Sequence, residues 1–194
     1  MTRSIVVPLL LLLTVTTLSA GEQELSGFFG IHFSEVLDES DPQPLNSLIG
    51  VRWGWSSGSG HGIEVTVERT QTDVEVTFLE PLSGTTFSSF VEADFFRVGL
   101  DYRLQGRNGT VRPYATAGLG YAFADLDRLP SSFVLLKPHD DRDGSLTYSA
   151  GAGFLIGEGR LRFRYDLRLL VIDRPFGTDV RSNVETSAGF SWIF

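Results

Sequence analysis

Eight stretches of this chain alternate apolar and polar residues with a period of two. The clearest is RLRFRYDLRLLV (160–171), where Leu161, Phe163, Tyr165, Leu167, Leu169 and Val171 alternate with Arg160, Arg162, Arg164, Asp166 and Arg168. A helix cannot keep those two sets apart, because its faces repeat every 3.6 residues, whereas a strand separates them automatically. The chain is therefore predicted to be all-β, with strands whose two faces meet unlike surroundings.

The other seven stretches obey the same rule. ELSGFFGIHFS (24–34) sets Leu25, Phe29, Ile31 and Phe33 against Ser26, Gly30, His32 and Ser34. LIGVRWGWS (48–56) sets Ile49, Val51, Trp53 and Trp55 against Gly50, Arg52, Gly54 and Ser56. GIEVTVE (62–68) opposes Ile63, Val65 and Val67 to Glu64, Thr66 and Glu68, and FRVGLDYRL (96–104) opposes its apolar set to Arg97, Gly99, Asp101 and Arg103. PYATAGLGYAF (113–123) and LTYSAGAGFLI (146–156) alternate large or small apolar residues with Thr, Ser and Gly. The last run sets Val184, Ala188, Phe190, Trp192 and Phe194 against Glu185, Ser187, Gly189 and Ser191.

Alternation alone leaves two folds open. A soluble sandwich turns its apolar face inward; a transmembrane barrel turns it toward lipid and fills its interior with the polar set. Three features select the barrel. Connections after the second, fourth and sixth runs are brief (57–60, 105–109, 157–159), whereas the others span roughly 35–46, 70–90, 124–144 and 173–183. Short periplasmic turns opposite long outer loops are the pattern of transmembrane barrels. Aromatic residues then sort into two levels, with Trp53, Trp55, Tyr102, Trp192 and Phe194 at the turn end and Phe33, Tyr121, Phe123 and Tyr148 at the loop end.

The third feature is the polar face itself. Glycines 30, 50, 54, 99, 118, 120, 151, 153 and 189 would make room inside a narrow barrel. Arg52, Arg97, Arg103, Arg160, Arg162, Arg164 and Arg168 would face Glu24, Glu64, Glu68, Asp101, Asp166 and Glu185, a nearly neutral set, as buried charge requires. The expectation is an eight-stranded antiparallel up-and-down transmembrane β-barrel with a plugged, charged lumen and both termini periplasmic. In the 70–90 stretch, Val74, Val76 and Phe78 fall out of phase with Val65 and Val67. Strand three is therefore expected to extend above the membrane after a bulge or tight turn, with ten strands as the competing count.

The leader fits this location. MTRSIVVPLLLLLTVTTLSA has one cation, Arg3, then an apolar run and small residues at Ser19 and Ala20, which predicts a signal peptide over 1–20 and a barrel domain over 21–194. The run is shorter than the about 20 apolar residues a spanning helix needs. Formal net charge is −8, and loss of Arg3 takes it to −9, which argues against nucleic acid as a partner. With no cysteine there is neither a lipid anchor nor a disulfide.

Several residues invite chemical readings. His32 and Ser34, with Glu35 beside them, are similar to the His-x-Ser pair of lipid A deacylases, where a base activates a hydroxyl. Their phase points them into the lumen and not toward an acyl chain, and they lie on the first strand where that family carries the pair near the last. No catalytic residue is assigned. His139, Asp140, Asp141 and Asp143 cluster in a loop but lack the spacing of a calcium loop, so no metal or other cofactor is expected, and His61 reads as a turn residue. Phe133, Val134, Leu135 and Leu136 form an apolar run in the longest loop, a candidate contact for an extracellular partner.

VRPYATAGLGYAFAD (111–125) resembles the PY-x-x-x-G-x-G-Y strand of the small outer membrane β-barrel family, which includes OmpA-like barrel domains. TYSAGAGFLIG (147–157), RFRYDLR (162–168) and the terminal FSWIF resemble that family's last three strands. The resemblance implies a Gram-negative outer membrane, with membrane lipids and lipopolysaccharide as surroundings. It also implies that Phe190, Trp192 and Phe194 form the signal read by the barrel assembly machinery. No peptidoglycan-binding domain follows, so cell-wall tethering is not carried over. The functional expectation is a non-enzymatic structural or surface-interaction role, with a lipid A-modifying enzyme or a narrow solute conduit as the alternatives.

Overall fold

The computed structural model describes residues 21–33, 45–79, 86–107, 109–126, 134–135, 143–173 and 181–194. The expected signal peptide lies outside them. Nine strands run in chain order: β1 (Gly21–Phe33), β2 (Leu45–Ser57), β3 (His61–Leu79), β4 (Thr86–Gln105), β5 (Val111–Leu126), β6 (Val134–Leu135), β7 (Asp143–Ile156), β8 (Leu161–Ile172) and β9 (Arg181–Ile193). All but β6 pair antiparallel with their neighbours, and β9 pairs with β1, so eight strands close on themselves. No helix occurs among the described residues.

Closure decides which face is inside. On β8, accessibility alternates strictly from Leu161 to Leu170, apolar positions exposed and polar ones buried until Leu170 turns in. Phe29, Ile49, Leu119 and Phe190 are each at least 60 % exposed, whereas the largest fully buried side chains are Arg52, Arg103, Arg164 and Arg168. A protein with arginine at its centre and phenylalanine on its surface is built for lipid. Closing the sheet also leaves no unpaired edge in the hydrocarbon, where each unsatisfied backbone group costs several kcal/mol.

The terminal strand is tied on both sides to its last residues. Ile193 N–H bonds the Arg160 carbonyl at 2.8 Å and Phe194 N–H bonds the Gln23 carbonyl at 3.0 Å. At the turn end the chain reverses tightly. Gly60 holds a φ of 85° that only glycine adopts without strain, and its N–H closes on Ser57 O at 2.9 Å.

The 70–90 region differs from expectation. β3 and β4 pair without interruption from His61↔Leu104 to Leu79↔Thr86, with a single unchanged register and no bulge. The ladder removes the ten-strand alternative. It makes one hairpin of 19- and 20-residue strands, longer than the 12- or 13-residue β8 and β9. The extra sheet strand is β6, where Val134 and Leu135 pair with Leu79 and Phe78.

Inside the barrel, two glycines show how tight the fit is. A Cβ on Gly118 would lie 2.2 Å from Asp101 Oδ1, and one on Gly153 would lie 2.4 Å from the Tyr114 hydroxyl. Both positions must be bare for the polar side chains to cross the lumen.

Candidate functional site

The site that the sequence marks most strongly is the barrel interior. Among the described residues, six arginines (52, 97, 103, 162, 164, 168) and six carboxylates (Glu24, Glu64, Glu68, Asp101, Asp166, Glu185) are buried there, with His32. Arg160, counted among the interior cations from its phase alone, instead lies exposed at the β7–β8 turn. Its removal brings the arginines and carboxylates to equal numbers.

Glu64 on β3 is the hub, with no solvent exposure. Arg164 on β8 donates to it through Nη1 at 2.6 Å and Nη2 at 3.1 Å; Arg103 Nη1 and Arg168 Nη2 follow at 3.3 and 3.4 Å, and Arg52 Nε lies 3.8 Å away. Arg164 is in turn held by Asp166 at 3.1 Å and Glu24 at 3.3 Å. Glu24 also accepts from Arg103 at 2.8 Å, Ser191 at 2.8 Å and Ser26 at 2.9 Å. Arg52 reaches Asp166 at 2.6 Å while its guanidinium stacks 3.7 Å above the Phe28 ring. These charge-assisted bonds join residues up to 167 apart in sequence, from Glu24 to Ser191.

Further pairs continue toward the loop end. Arg168 faces Asp101 at 3.4 Å, Arg97 is bonded to Glu68, and Arg97 Nε donates to Thr147 at 3.2 Å. His32 Nδ1 and Glu185 Oε1 are 3.1 Å apart. At the turn end, Arg162 and Arg112 converge on Glu22 at 3.2 and 3.4 Å. Carboxylates lie between guanidiniums along the lumen, so each buried charge has a counter-charge close by.

Some interior residues escaped sequence reasoning. Phe28, Leu48, Tyr114, Leu155, Leu170, Ile172 and Ile193 are all buried. Phe28 and Tyr114 sit among arginines, and Tyr114 bonds Asp166 and accepts from Arg164 Nε at 2.9 Å. Their phase was the available signal, since each occupies a polar-face position in its run. Their apolar character masked it.

Other candidates are dispersed. His61 lies at the β2–β3 turn, bonded to the Tyr102 hydroxyl. Ser34, Glu35, Phe133, Leu136, His139, Asp140 and Asp141 lie outside the described residues, and the side chain of Asp143 does too. The terminal aromatics Phe190, Trp192 and Phe194 are 60 %, 46 % and 65 % exposed on the outer wall.

A closed eight-stranded barrel with a lipid-type wall and a polar interior defines a transmembrane β-barrel of the outer membrane. The chain belongs to the outer membrane protein beta-barrel domain family, whose model matches residues 5–194. No curated protein matches it in sequence. Among solved structures it is similar to Neisserial surface protein A, with a TM-score of 0.61 at 14% identity over 89% of this chain and 97% of that one. The N-terminal barrel domain of Pseudomonas aeruginosa OprF gives 0.56 at 12% identity, over 90% and 98%. Yersinia pestis Ail, the attachment invasion locus protein, solved with the heparin analogue sucrose octasulfate, gives 0.52 at 16% identity, over 90% and 99%. At these identities the likeness is one of fold.

Proposed function

We propose that this protein is a non-enzymatic structural and surface-display barrel whose lumen is plugged and whose long loops face the exterior, with both termini in the periplasm. The observation that carries this reading is the Glu64 hub. One carboxylate held by four arginines from three other strands braces the barrel across its full width. An open conduit needs charged rings that leave a water path between them, whereas here guanidinium and carboxylate close on each other. His32 is similarly engaged, facing Glu185 inside the lumen and away from any acyl chain.

The loop run 133–136, of which Val134 and Leu135 already dock on β3, is the proposed contact for an extracellular partner. Surface binding should disappear on deletion of 131–137 while the barrel stays folded. Phe190, Trp192 and Phe194 are the proposed assembly signal, and substituting Phe194 should slow insertion by the assembly machinery. The decisive test of the plug is conductance in planar bilayers. The wild-type barrel should give no discrete single-channel steps, and ohmic conductance from heat-modifiable, folded protein would replace this reading with the conduit.

A further inference from the structure

At the turn end the lumen runs short of negative charge. Glu22, Gln105, Arg112 and Arg162 continue the inward phase of Glu24, Arg103, Tyr114 and Arg164, so they form the last layer before the mouth. Arg107 stands beside them on the β4–β5 turn, exposed, with Nη2 donating to the Ser59 carbonyl at 2.5 Å. Among the described residues, Glu22 is the one carboxylate paired with any of Arg107, Arg112 and Arg162. It offers a single oxygen: Oε2 accepts from Arg162 Nη1 at 3.2 Å and from Arg112 Nη1 at 3.4 Å. One layer deeper, Glu24 accepts from Arg103 at 2.8 Å. The Glu22 side chain is also 47 % exposed, so water weakens both of its pairs.

The same layer holds polar atoms with nothing to bond. The Nε–H of Arg112 and the Oε1 of Gln105 are buried, and neither has a hydrogen-bond partner among the described residues. Arg162, tied to the layer through Glu22 and 5 % exposed, lacks a partner at its own Nε–H. Buried polar groups are nearly always bonded, so such orphans need an explanation. Arg112 and Gln105 line one cavity of about 260 Å³, together with Glu22, Ser56 and Arg107. Sites for a whole drug-sized molecule hold roughly 300–1,000 Å³. This one has room for an end group.

We propose that this vestibule is a carboxylate-capture site that takes the C-terminal residue of a periplasmic peptide, a source that rests on the turn end facing the periplasm. Each orphan specifies part of the ligand. The Arg112 Nε–H requires an acceptor, and the excess of guanidinium requires that acceptor to be anionic. Gln105 Oε1 requires a donor beside it. A peptide C terminus carries both groups on one carbon, the carboxylate and its own N–H, whereas acetate or sulfate supplies only the anion. The planar guanidinium fork suits a carboxylate, and capture of a terminal carboxylate is a recurring mode of peptide recognition. Glu22 is then the internal competitor that the incoming carboxylate displaces from Arg112.

The experiment is isothermal titration calorimetry of the folded barrel in detergent micelles at low salt, with N-acetyl-alanyl-alanine as the probe. One dipeptide should bind per barrel, at least ten-fold tighter than its C-terminal amide, acetate or sulfate. Arg112→Gln should weaken binding at least ten-fold, and Gln105→Met should bring the dipeptide down to the level of acetate. Glu22→Gln removes the competitor and should tighten binding several-fold, which a merely structural role for this layer would not do. The heat-dependent electrophoretic shift checks that each variant is folded. Equal affinity for acid and amide, or no binding of the acid, would overturn the proposal. So would sulfate binding as tightly as the dipeptide, or weaker binding to Glu22→Gln. The titration is blind to orientation, which is read separately. Gly58→Cys, at a turn position where a Cβ meets nothing within 4 Å, gives a chain without cysteine a single thiol. That thiol should escape a membrane-impermeant maleimide on intact cells. Labelling there would overturn the periplasmic source together with the orientation proposed above.

Discussion

The two faces of β8 are one residue apart in sequence and solve opposite problems. Outward, Leu161, Phe163, Leu167 and Leu169 touch little of the protein and are 37 to 55 % exposed. Inward, Arg164 and Arg168 are each about 1 % exposed and bind partners on distant strands. The wall is generic: any apolar residue of ordinary size satisfies lipid there, and neighbours are interchangeable. The lumen is specific, because every charge needs a named counter-charge at hydrogen-bond distance. Tolerance to substitution should therefore differ sharply between faces of the same strand.

The largest break in that comparison is expected from interior volume. Gly118→Val places methyl groups where Asp101 Oδ1 and the Leu100 carbonyl already stand 2.2 and 2.4 Å from a Cβ. The barrel should fail to close, and the heat-dependent shift in electrophoretic mobility that a folded barrel shows should vanish. A normal shift would mean the lumen is looser than the packing around Gly118 implies.

Charge comes next. Glu64→Gln keeps the shape of the hub but removes the counter-charge shared by Arg52, Arg103, Arg164 and Arg168. Breaking a buried pair from one side costs about 3–5 kcal/mol, which urea unfolding in detergent micelles would register as a lower midpoint. Little change would show that the arginines re-pair with Glu24 and Asp166. Smallest is a charge on the wall. Leu119→Arg, at a mid-strand position 60 % exposed, should cost about 2–4 kcal/mol at the bilayer midplane and less if the side chain reaches an interface. Measured in micelles and then in bilayers, the penalty should grow with the lipid, whereas the Glu64→Gln penalty should not.

How much of this was legible beforehand depends on distance along the chain. Strand β8 could be read residue by residue from Leu161 to Leu169, because alternation is a local property and each of those side chains declares its own face; Leu170 and Ile172 turn inward against their type. The pairing of Glu64 with Arg164 could not, since 100 residues separate them and many carboxylate–arginine matches satisfy neutrality equally well. Arg160 was misplaced for a related reason. Phase put it inward, but at the turn the strand has ended and the side chain reaches solvent. The out-of-phase valines of β3 suggested a bulge, yet the ladder with β4 keeps one register throughout. A change in hydrophobic phase need not mark a backbone defect, because the surroundings of a strand can change along its length while its pleat does not.

By itself the sequence determined that eight runs are two-faced, where the short turns fall, and which residues share a face, since period two and the backbone reversals at Gly60 and its counterparts are encoded locally; the choice between eight and ten strands was made only by the β3–β4 ladder. Closure of β9 onto β1 decided the rest: which carboxylate meets which guanidinium, and that Phe28 and Tyr114 pack among charges. Those outcomes depend on distances across a lumen only one side chain wide, and no such distance exists until the sheet is shut.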